Sequence, residues 1–415
     1  MNYIEKLHIK NFRQFHQLDV EFNKKFNFIA GPNGCGKTSI LAGLSHCFNF
    51  RSLNYSRFQE DSEAWADLMV FGEKRRIGFG SGGIQTQGYR KHPIRASITP
   101  DYEEGRKLYP TSLAATDLKE FCPLFIGADR SISYKKLQGQ TREPNIEEQL
   151  ENYTSKSGFS LHGEPQNNVK QWLINRYFII DKDWAKEEQE NWHHMMRSLP
   201  SLAPFNSNFT YVKTGRDLEP VFSLYGDECY LEELSAGFQA VLSIVIQIFE
   251  WIEAVNPEGK RIATTATGTV LIDELDLHLH PEWQFSLRDG LTNLFPNIQF
   301  IVTTHSPHVL SSAKENEIII MNRNDDQREY SLKPRPEKYS GWNTDQILSD
   351  AMDVVSLENT EYKKLINKAL DEIEKQDLNG LRNAIDEFSV IAHPNDSILA
   401  VLKIRYASLV AISDD

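Results

Sequence analysis

Two stretches far apart in the 415-residue chain carry residue types that converge on one chemistry. The first is GPNGCGKTS at 31–39, with the spacing Gly31-x-x-x-x-Gly36-Lys37-Thr38 of a phosphate-binding loop. It follows the apolar run FNFIA and opens the helix-forming ILAGLSHCFNF. Glycines let a backbone curl until its N–H groups face phosphate oxygens, and the start of a helix adds a favourable dipole. Asn33, Gly34, Cys35, Gly36, Lys37, Thr38 and Ser39 are the expected cradle, with Lys37 reaching the β- and γ-phosphates and the Thr38 hydroxyl holding Mg²⁺. The second stretch is TVLIDELD at 269–276, where Val270, Leu271 and Ile272 predict a buried strand that delivers Asp273 and Glu274 at its C-terminal end. Asp273 is the expected anchor for Mg²⁺, and Glu274 the general base that polarises the attacking water. ATP and Mg²⁺ are the expected ligands, and hydrolysis of ATP the expected reaction.

Two further elements narrow the class. LSAGFQ (234–239) opens a long helix, so the Ser235 hydroxyl and the bare N–H groups around Gly237 can meet a γ-phosphate at a helix N-terminus. IVTTHSPH places His305 at the end of another buried strand, where an imidazole can sense the same phosphate. Taken singly, Ser235 reads as a helix cap and His305 as a core histidine. Their joint presence, in this chain order, points instead to a nucleotide site.

The elements that must position these residues are legible in outline. Ile4, Leu7 and Ile9 predict one strand, Leu18, Val20 and Phe22 a second, and FNFIA a buried third, with a helix from about Lys37 to Phe48. RRIGFG and PLFIGADR read as strands, the latter ending at a polar turn. NIEEQLENY, VKQWLINRYFI and DWAKEEQENWHHMMRSL have helical spacing and form an expected insertion. NFTYVKTG and VFSLYG predict a hairpin before the long helix, and Tyr362, Leu365, Ile366, Ala369, Leu370 and Ile373 a helical tail. The apolar VLSIVIQIFEWIEAV is interrupted by Gln247 and Glu250, so a buried helix is expected there and no membrane partner.

Composition sets bounds. The chain has 45 basic and 58 acidic residues, a formal charge of −13, so contact with duplex DNA must be local or come through a partner. YRKHPIR (89–95) and RKL (106–108) either contribute to a basic groove or are solvated loops. Cys35, Cys47, Cys122 and Cys229 are too scattered for a disulfide framework or a CxxC metal site. They fit a reducing compartment, and the chain opens on no secretory signal, so a cytoplasmic location is expected.

The opening IxNFRxF, the loop GPNGCGKT, LSAGFQ, VLIDELDLHLHP and TTHSP stand in the order found in ABC-type ATPase heads of the SMC, RecF and OLD branch, which the chain resembles from residue 1 to about 312. The resemblance implies an α/β fold: a P-loop core sheet with an N-terminal antiparallel β subdomain, plus a helical insertion and a helical C-terminal tail. Expected boundaries are 1–130 and 211–335 for the two lobes, 131–210 for the insertion and 336–415 for the tail. In such heads the signature segment of one subunit closes over the nucleotide of another, which implies a dimer or higher oligomer with composite sites and puts Asp276 in the loop that crosses the interface. Ala236 departs from the glycine of many relatives. Gln59, in RFQED, is either the glutamine that faces Mg²⁺ in this family or a surface residue, and Arg13 either approaches the nucleotide or is a strand-end charge. His278 and His280 look like a metal pair but belong to the family's HLHP turn, and His193 and His194 lie on an exposed or interface face.

The chain lacks the heptads of a long SMC arm and the carboxylate cluster of a Toprim nuclease. What remains resembles the stand-alone ATPases of bacterial anti-phage operons, those of Septu and retron systems above all. This implies a co-encoded nuclease partner, of HNH type or of Toprim type, with nucleic acid reached through the complex. A RecF-like ATPase that binds DNA itself is the alternative, and an ABC ATPase serving transport a third.

Overall fold

The chain opens with β1 (Tyr3–Phe12) and β2 (Phe15–Glu21), an antiparallel pair in which Ile4, Leu7, Ile9, Leu18 and Val20 are buried. Ile4 and Leu7 both face inward although three positions apart. The register of β1 against β4 (Phe58–Val70) shifts between Ile4 and Lys6, and such a bulge resets the alternation. This is a computed structural model, and it describes residues 2–85, 94–95, 98–112, 118–163, 168–204, 207–322, 328–353, 360–393 and 396–413. Most of the basic stretch 89–95 therefore lies outside the described residues.

After β3 (Phe26–Ala30) the chain turns through residues 31–36 into α1 (Lys37–Phe48), whose bounds are those predicted. β4 pairs with β5 (Glu73–Phe79), a two-residue ladder joins β6 (Ile84–Gln85) to β7 (Ile94–Arg95), and β8 (Lys107–Pro110) runs parallel to β5. A short buried strand, β9 (Leu124–Ile126), follows.

Three helices then form the inserted segment: α2 (Ile146–Lys156), α3 (Val169–Ile179) and α4 (Lys186–Ser198). Both α2 and α3 pack on α5 (Ala236–Val255), the long apolar helix. By length and composition α5 is apolar enough to cross a membrane, yet 89% of its apolar window is buried inside the protein. It is a core helix. The expected hairpin before it is a three-stranded meander, β10 (Thr210–Thr214), β11 (Pro220–Leu224) and β12 (Asp227–Tyr230). β12 reads DECY, too polar to register as a strand, because it is an exposed edge that pairs, among the described residues, with β11 alone.

β13 (Gly268–Ile272), α6 (Pro281–Leu294), β14 (Ile298–Thr303), α7 (Pro307–Ser311) and β15 (Ile318–Ile320) complete the core. Five strands lie in the order β15-β3-β14-β13-β9, every neighbouring pair parallel. Parallel sheets are covered on both faces, which is why FNFIA and GTVLI carry no polar alternation. β16 (Glu329–Leu332) returns to the N-terminal sheet, giving the order β16-β2-β1-β4-β5-β8. The P-loop core sheet with an N-terminal, mainly antiparallel β subdomain is therefore as expected.

The chain divides into two compact units, Met1–Asp353 and Val354–Asp415. α8 (Thr344–Met352) belongs to the first. In the second, α9 (Thr360–Glu374), α10 (Leu378–Ile391) and α11 (Ser397–Ser413) enclose Ala369, Leu381, Ile385, Phe388, Leu399 and Leu402. Of the predicted stripe on α9, Tyr362, Leu365, Ile366 and Ile373 pack against this core, whereas Leu370 is exposed.

Candidate active site

Gly36 caps α1 at φ +111°, a conformation that glycine adopts freely and L side chains rarely do. A Cβ there would lie 1.9 Å from Gln14 Nε2 and 2.6 Å from Phe15 Cζ, so the loop is pressed against the β1–β2 turn. Lys37 is buried, and its ammonium donates to the carbonyls of Gly31 (2.9 Å) and Pro32 (3.0 Å). Burial lowers its pKa, against the opposing pull of Cys35, Asp273 and Glu274. Burial also pushes the Cys35 thiol up, which keeps it a protonated packing group. Thr38 is exposed at the helix start, and its hydroxyl donates to both carboxylate oxygens of Asp273 at 3.1 Å.

The C-terminal end of β13 is tied on every side. Asp273 accepts a second hydroxyl, from Thr303 at 2.6 Å, and Thr303 Oγ1 in turn accepts the Glu274 N–H at 2.7 Å. Glu274 sits at φ +50°, a left-handed conformation that costs a non-glycine residue about 1 kcal/mol or more. Arg130, buried at the turn after β9, spans this strand end. Its Nε donates to the Gly127 carbonyl at 3.0 Å, and its Nη2 to the carbonyls of Glu274 (3.1 Å) and Asp273. Its Nη1 is buried with no hydrogen-bond acceptor among the described residues. Burial lowers Arg130 to about 10, against the opposing pull of Asp273, Asp276 and Glu274.

Asp276 ties the carboxylate segment to the switch segment, accepting the Thr304 hydroxyl at 2.6 Å and the His305 backbone N–H at 3.2 Å. The His305 imidazole is half-buried and held below its ordinary pKa, by burial first and then by Lys37, so it is neutral at pH 7. Thr303, Arg130 and Gln14 escaped sequence reasoning. Gln14 Nε2 donates to the Cys35 carbonyl at 3.3 Å, and Gln14 Oε1 accepts from the Ser39 hydroxyl at 3.3 Å. Only Thr303 carried a signal, as a hydroxyl residue closing a buried strand two positions before His305.

Ser235 is the N-cap of α5, exposed, and its side chain makes no cap hydrogen bond. Gly237 is pinned: a Cβ there would lie 3.0 Å from the His278 carbonyl and 3.0 Å from the Trp283 ring. Gln239 fastens the same segment, donating to the Leu234 carbonyl at 2.9 Å and accepting the Ile132 N–H at 3.2 Å. Arg13 reaches α1, donating to the Ser39 hydroxyl at 3.2 Å. Gln59 lines an open cleft of about 680 Å³ beside it, with Asn11 and Phe58, and its backbone N–H donates to Ser62 Oγ at 2.7 Å. His278 and His280 are exposed, and His280 Nδ1 accepts the Glu282 N–H at 3.4 Å as the cap of α6. His194 bonds the Leu294 carbonyl at 3.1 Å, and His193 lines a surface cleft with Tyr211.

These residues fit a nucleotide with a divalent cation. A loop with glycines at 31, 34 and 36 curls at the start of a helix, and an exposed hydroxyl meets a carboxylate that itself lies 7% exposed at a strand end. Thr38 and Asp273 have the hard oxygen chemistry that Mg²⁺ requires, and Lys37 the charge that phosphate requires.

Comparison with known proteins agrees. Residues 26–311 match the family model "AAA domain, putative AbiEii toxin, Type IV TA system". The chain is 27% identical over 416 residues to the Septu protein PtuA of Bacillus thuringiensis, covering 97% of this chain and 98% of that one. It is 25% identical to the Retron Ec83 probable ATPase of Escherichia coli, over 77% of this chain and 71% of the relative. Among solved structures, the Smc head domain with an extended coiled coil bound to the C-terminal domain of ScpA derived from Pyrococcus furiosus aligns with a TM-score of 0.45 at 15% identity, over 80% of this chain and 96% of that one. With the family model spanning well over half of its length, the chain belongs to this AAA-domain family.

Proposed function

We propose that the chain is the ATP-binding and hydrolysing sensor subunit of an anti-phage defence complex, and that it controls a partner nuclease. An HNH nuclease is the favoured partner and a Toprim nuclease the second. The observation that carries this reading is an asymmetry in the site. Lys37, Thr38, Asp273 and Glu274 come together in one chain, whereas the Ser235 hydroxyl is exposed and unspent on its own helix. A second copy of the chain would bring its Ser235 and Gly237 over the phosphates, making two composite sites. Full-length similarity to Septu PtuA supports the defence role.

Mg²⁺-ATP supplies the phosphoryl group and the divalent charge when bound. Lys37 would hold the β- and γ-phosphates, with Thr38 and Asp273 holding the cation. Glu274 would take the proton of the attacking water, aimed by the Thr303 hydroxyl and by Arg130 through its own backbone. Neutral His305 would donate to the γ-phosphate, and Asp276 would relay its position to the neighbouring subunit. Among the described residues no three or more His, Cys, Asp or Glu side chains are grouped as a metal site.

The test is co-purification with the product of the adjacent nuclease gene. ATPase activity should stay with this chain, and DNA cleavage should require both. DNA cleavage by highly purified chain alone, in Mg²⁺ or Mn²⁺, would refute the division of labour. Salt-sensitive DNA binding by the isolated chain, with no nuclease partner, would favour the RecF-like alternative.

A further inference from the structure

The signature segment 234–239 is held by groups outside its own helix. Just before it, Leu231–Glu233 forms a 3₁₀ turn, and the Glu232 carboxylate there accepts from the ammonium of Lys170, on the inserted helix α3, at 2.8 Å. The same ammonium pairs with Glu219 at 2.5 Å and lies 4.6 Å from the centroid of the Tyr134 ring. Lys170 is buried, and both carboxylates are part-buried. A compact charge with three donors on a flexible stem suits this place, since it serves two carboxylates that approach from different segments. Glu219 precedes β11 and Glu232 follows β12, so Lys170 ties the insertion to both ends of that hairpin and to the turn that leads into α5.

The frame continues from Glu232. Gln239, in the first turn of α5, donates to the carbonyls of Glu232 at 3.1 Å and Leu234 at 2.9 Å, and its Oε1 accepts the Ile132 N–H at 3.2 Å. Ile132 lies two residues beyond Arg130, the residue that donates to the carbonyls of Asp273 and Glu274. Ser235 stands inside this frame with no cap hydrogen bond of its own, so the backbone of 232–239 sets where its hydroxyl lies. We propose that Lys170 is a positioning residue for the signature segment: through Glu232 and Gln239 it aims Ser235 at the nucleotide of the neighbouring subunit. The inserted helix thereby acts on hydrolysis in the other chain, without touching Lys37, Thr38 or Glu274. The inference rests on the composite-site reading above.

The test is subunit mixing with full-length protein, read as phosphate release at saturating ATP once subunit exchange is verified. Lys170→Met alone should lose about ten- to a hundredfold in turnover, the effect of a displacement of up to about 1 Å in the site. Its affinity for a fluorescent ATP analogue should change by less than about threefold. Because the defect lies in what the chain presents to its neighbour, Lys170→Met should regain activity with Lys37→Ala and gain nothing with Ser235→Arg. A lysine that mattered only to its own chain's packing would not distinguish the two. Lys170→Arg keeps a charge within reach of both carboxylates and should retain most of the turnover. Since Lys170→Met leaves two part-buried carboxylates without their cation, Gln239→Met, at a part-buried position, is measured beside it. It should follow the same mixing pattern, and it decides the matter if Lys170→Met does not fold. Ser235→Arg with Lys37→Ala is the control. Recovery in the control, with neither variant recovering alongside Lys37→Ala or with both recovering equally alongside Ser235→Arg, would overturn the proposal and leave the composite site standing. No recovery in the control would overturn both.

Discussion

Replacing Arg130 by methionine keeps the length of the side chain and removes the guanidinium that spans the end of β13. Three backbone carbonyls, of Gly127, Asp273 and Glu274, lose their donor. Leaving these carbonyls without their charged donor costs about 3–5 kcal/mol in all, and in a unit of this size the melting temperature should fall by roughly 4–7 °C. The effect on chemistry is more specific. Glu274 is held at φ +50° between the Thr303 hydroxyl on its N–H and Arg130 on its carbonyl. With one of the two gone, the backbone relaxes toward an unstrained conformation and the carboxylate swings with it. A displacement of about 1 Å at a reacting group is worth about a hundredfold in rate. ATP binding should change by less than about threefold, since the variant leaves Lys37 and Thr38 untouched and the loss is confined to the general base. Phosphate release measures the first quantity, titration with a fluorescent ATP analogue the second, and a melt the third. Arg130→Lys restores the charge but not the planar fork, so it should recover stability more than turnover. A folded Arg130→Met protein with wild-type turnover would refute the argument, and so would one in which binding and turnover fall together.

Lys37→Ala should abolish ATP binding, whereas Glu274→Gln should bind ATP and lose about two to four orders of magnitude in turnover, both read by titration and phosphate release. Ser235→Arg and Lys37→Ala proteins, each inactive alone, should recover part of the activity when mixed, since one site of the mixed pair has both halves sound; no recovery despite verified subunit exchange would exclude hydrolysis across an interface. Glu250 is raised from an ordinary 4.5 to about 7 by burial, with Glu253 and Glu143 reinforcing and Arg176 opposing. A raised folded pKa contributes stability below about pH 4.5 that is lost as pH climbs through 7, so Glu250→Gln should melt higher than wild type above pH 7, by about 1–3 kcal/mol, and the gap should close in acid.

Features decided within a few residues were open to the sequence. The loop at 31–39 needs only its own glycines, and α1 begins at Lys37 because Gly36 alone can take the preceding left-handed turn. FNFIA, GTVLI and IQFIVT are read as core strands because burial on both faces leaves them without the alternation of polar and apolar residues that marks a half-exposed strand. Partners between distant segments were not open to it. Gln299 bonds the backbone of Ile4, Arg130 grips a strand end 143 residues away, and β16 crosses from the core to pair with β2. No local period announces such contacts, because they depend on which buried donors and acceptors meet once the sheets have formed. The same holds for Arg13, which hydrogen bonds to α1, and for Gln59, which lines a cleft next to it. It holds for the inserted helices too: their spacing made them helices, but only packing brought Lys170 of α3 to Glu232. Periodicity records which face of an element is buried. What that face is buried against is a property of the assembled chain.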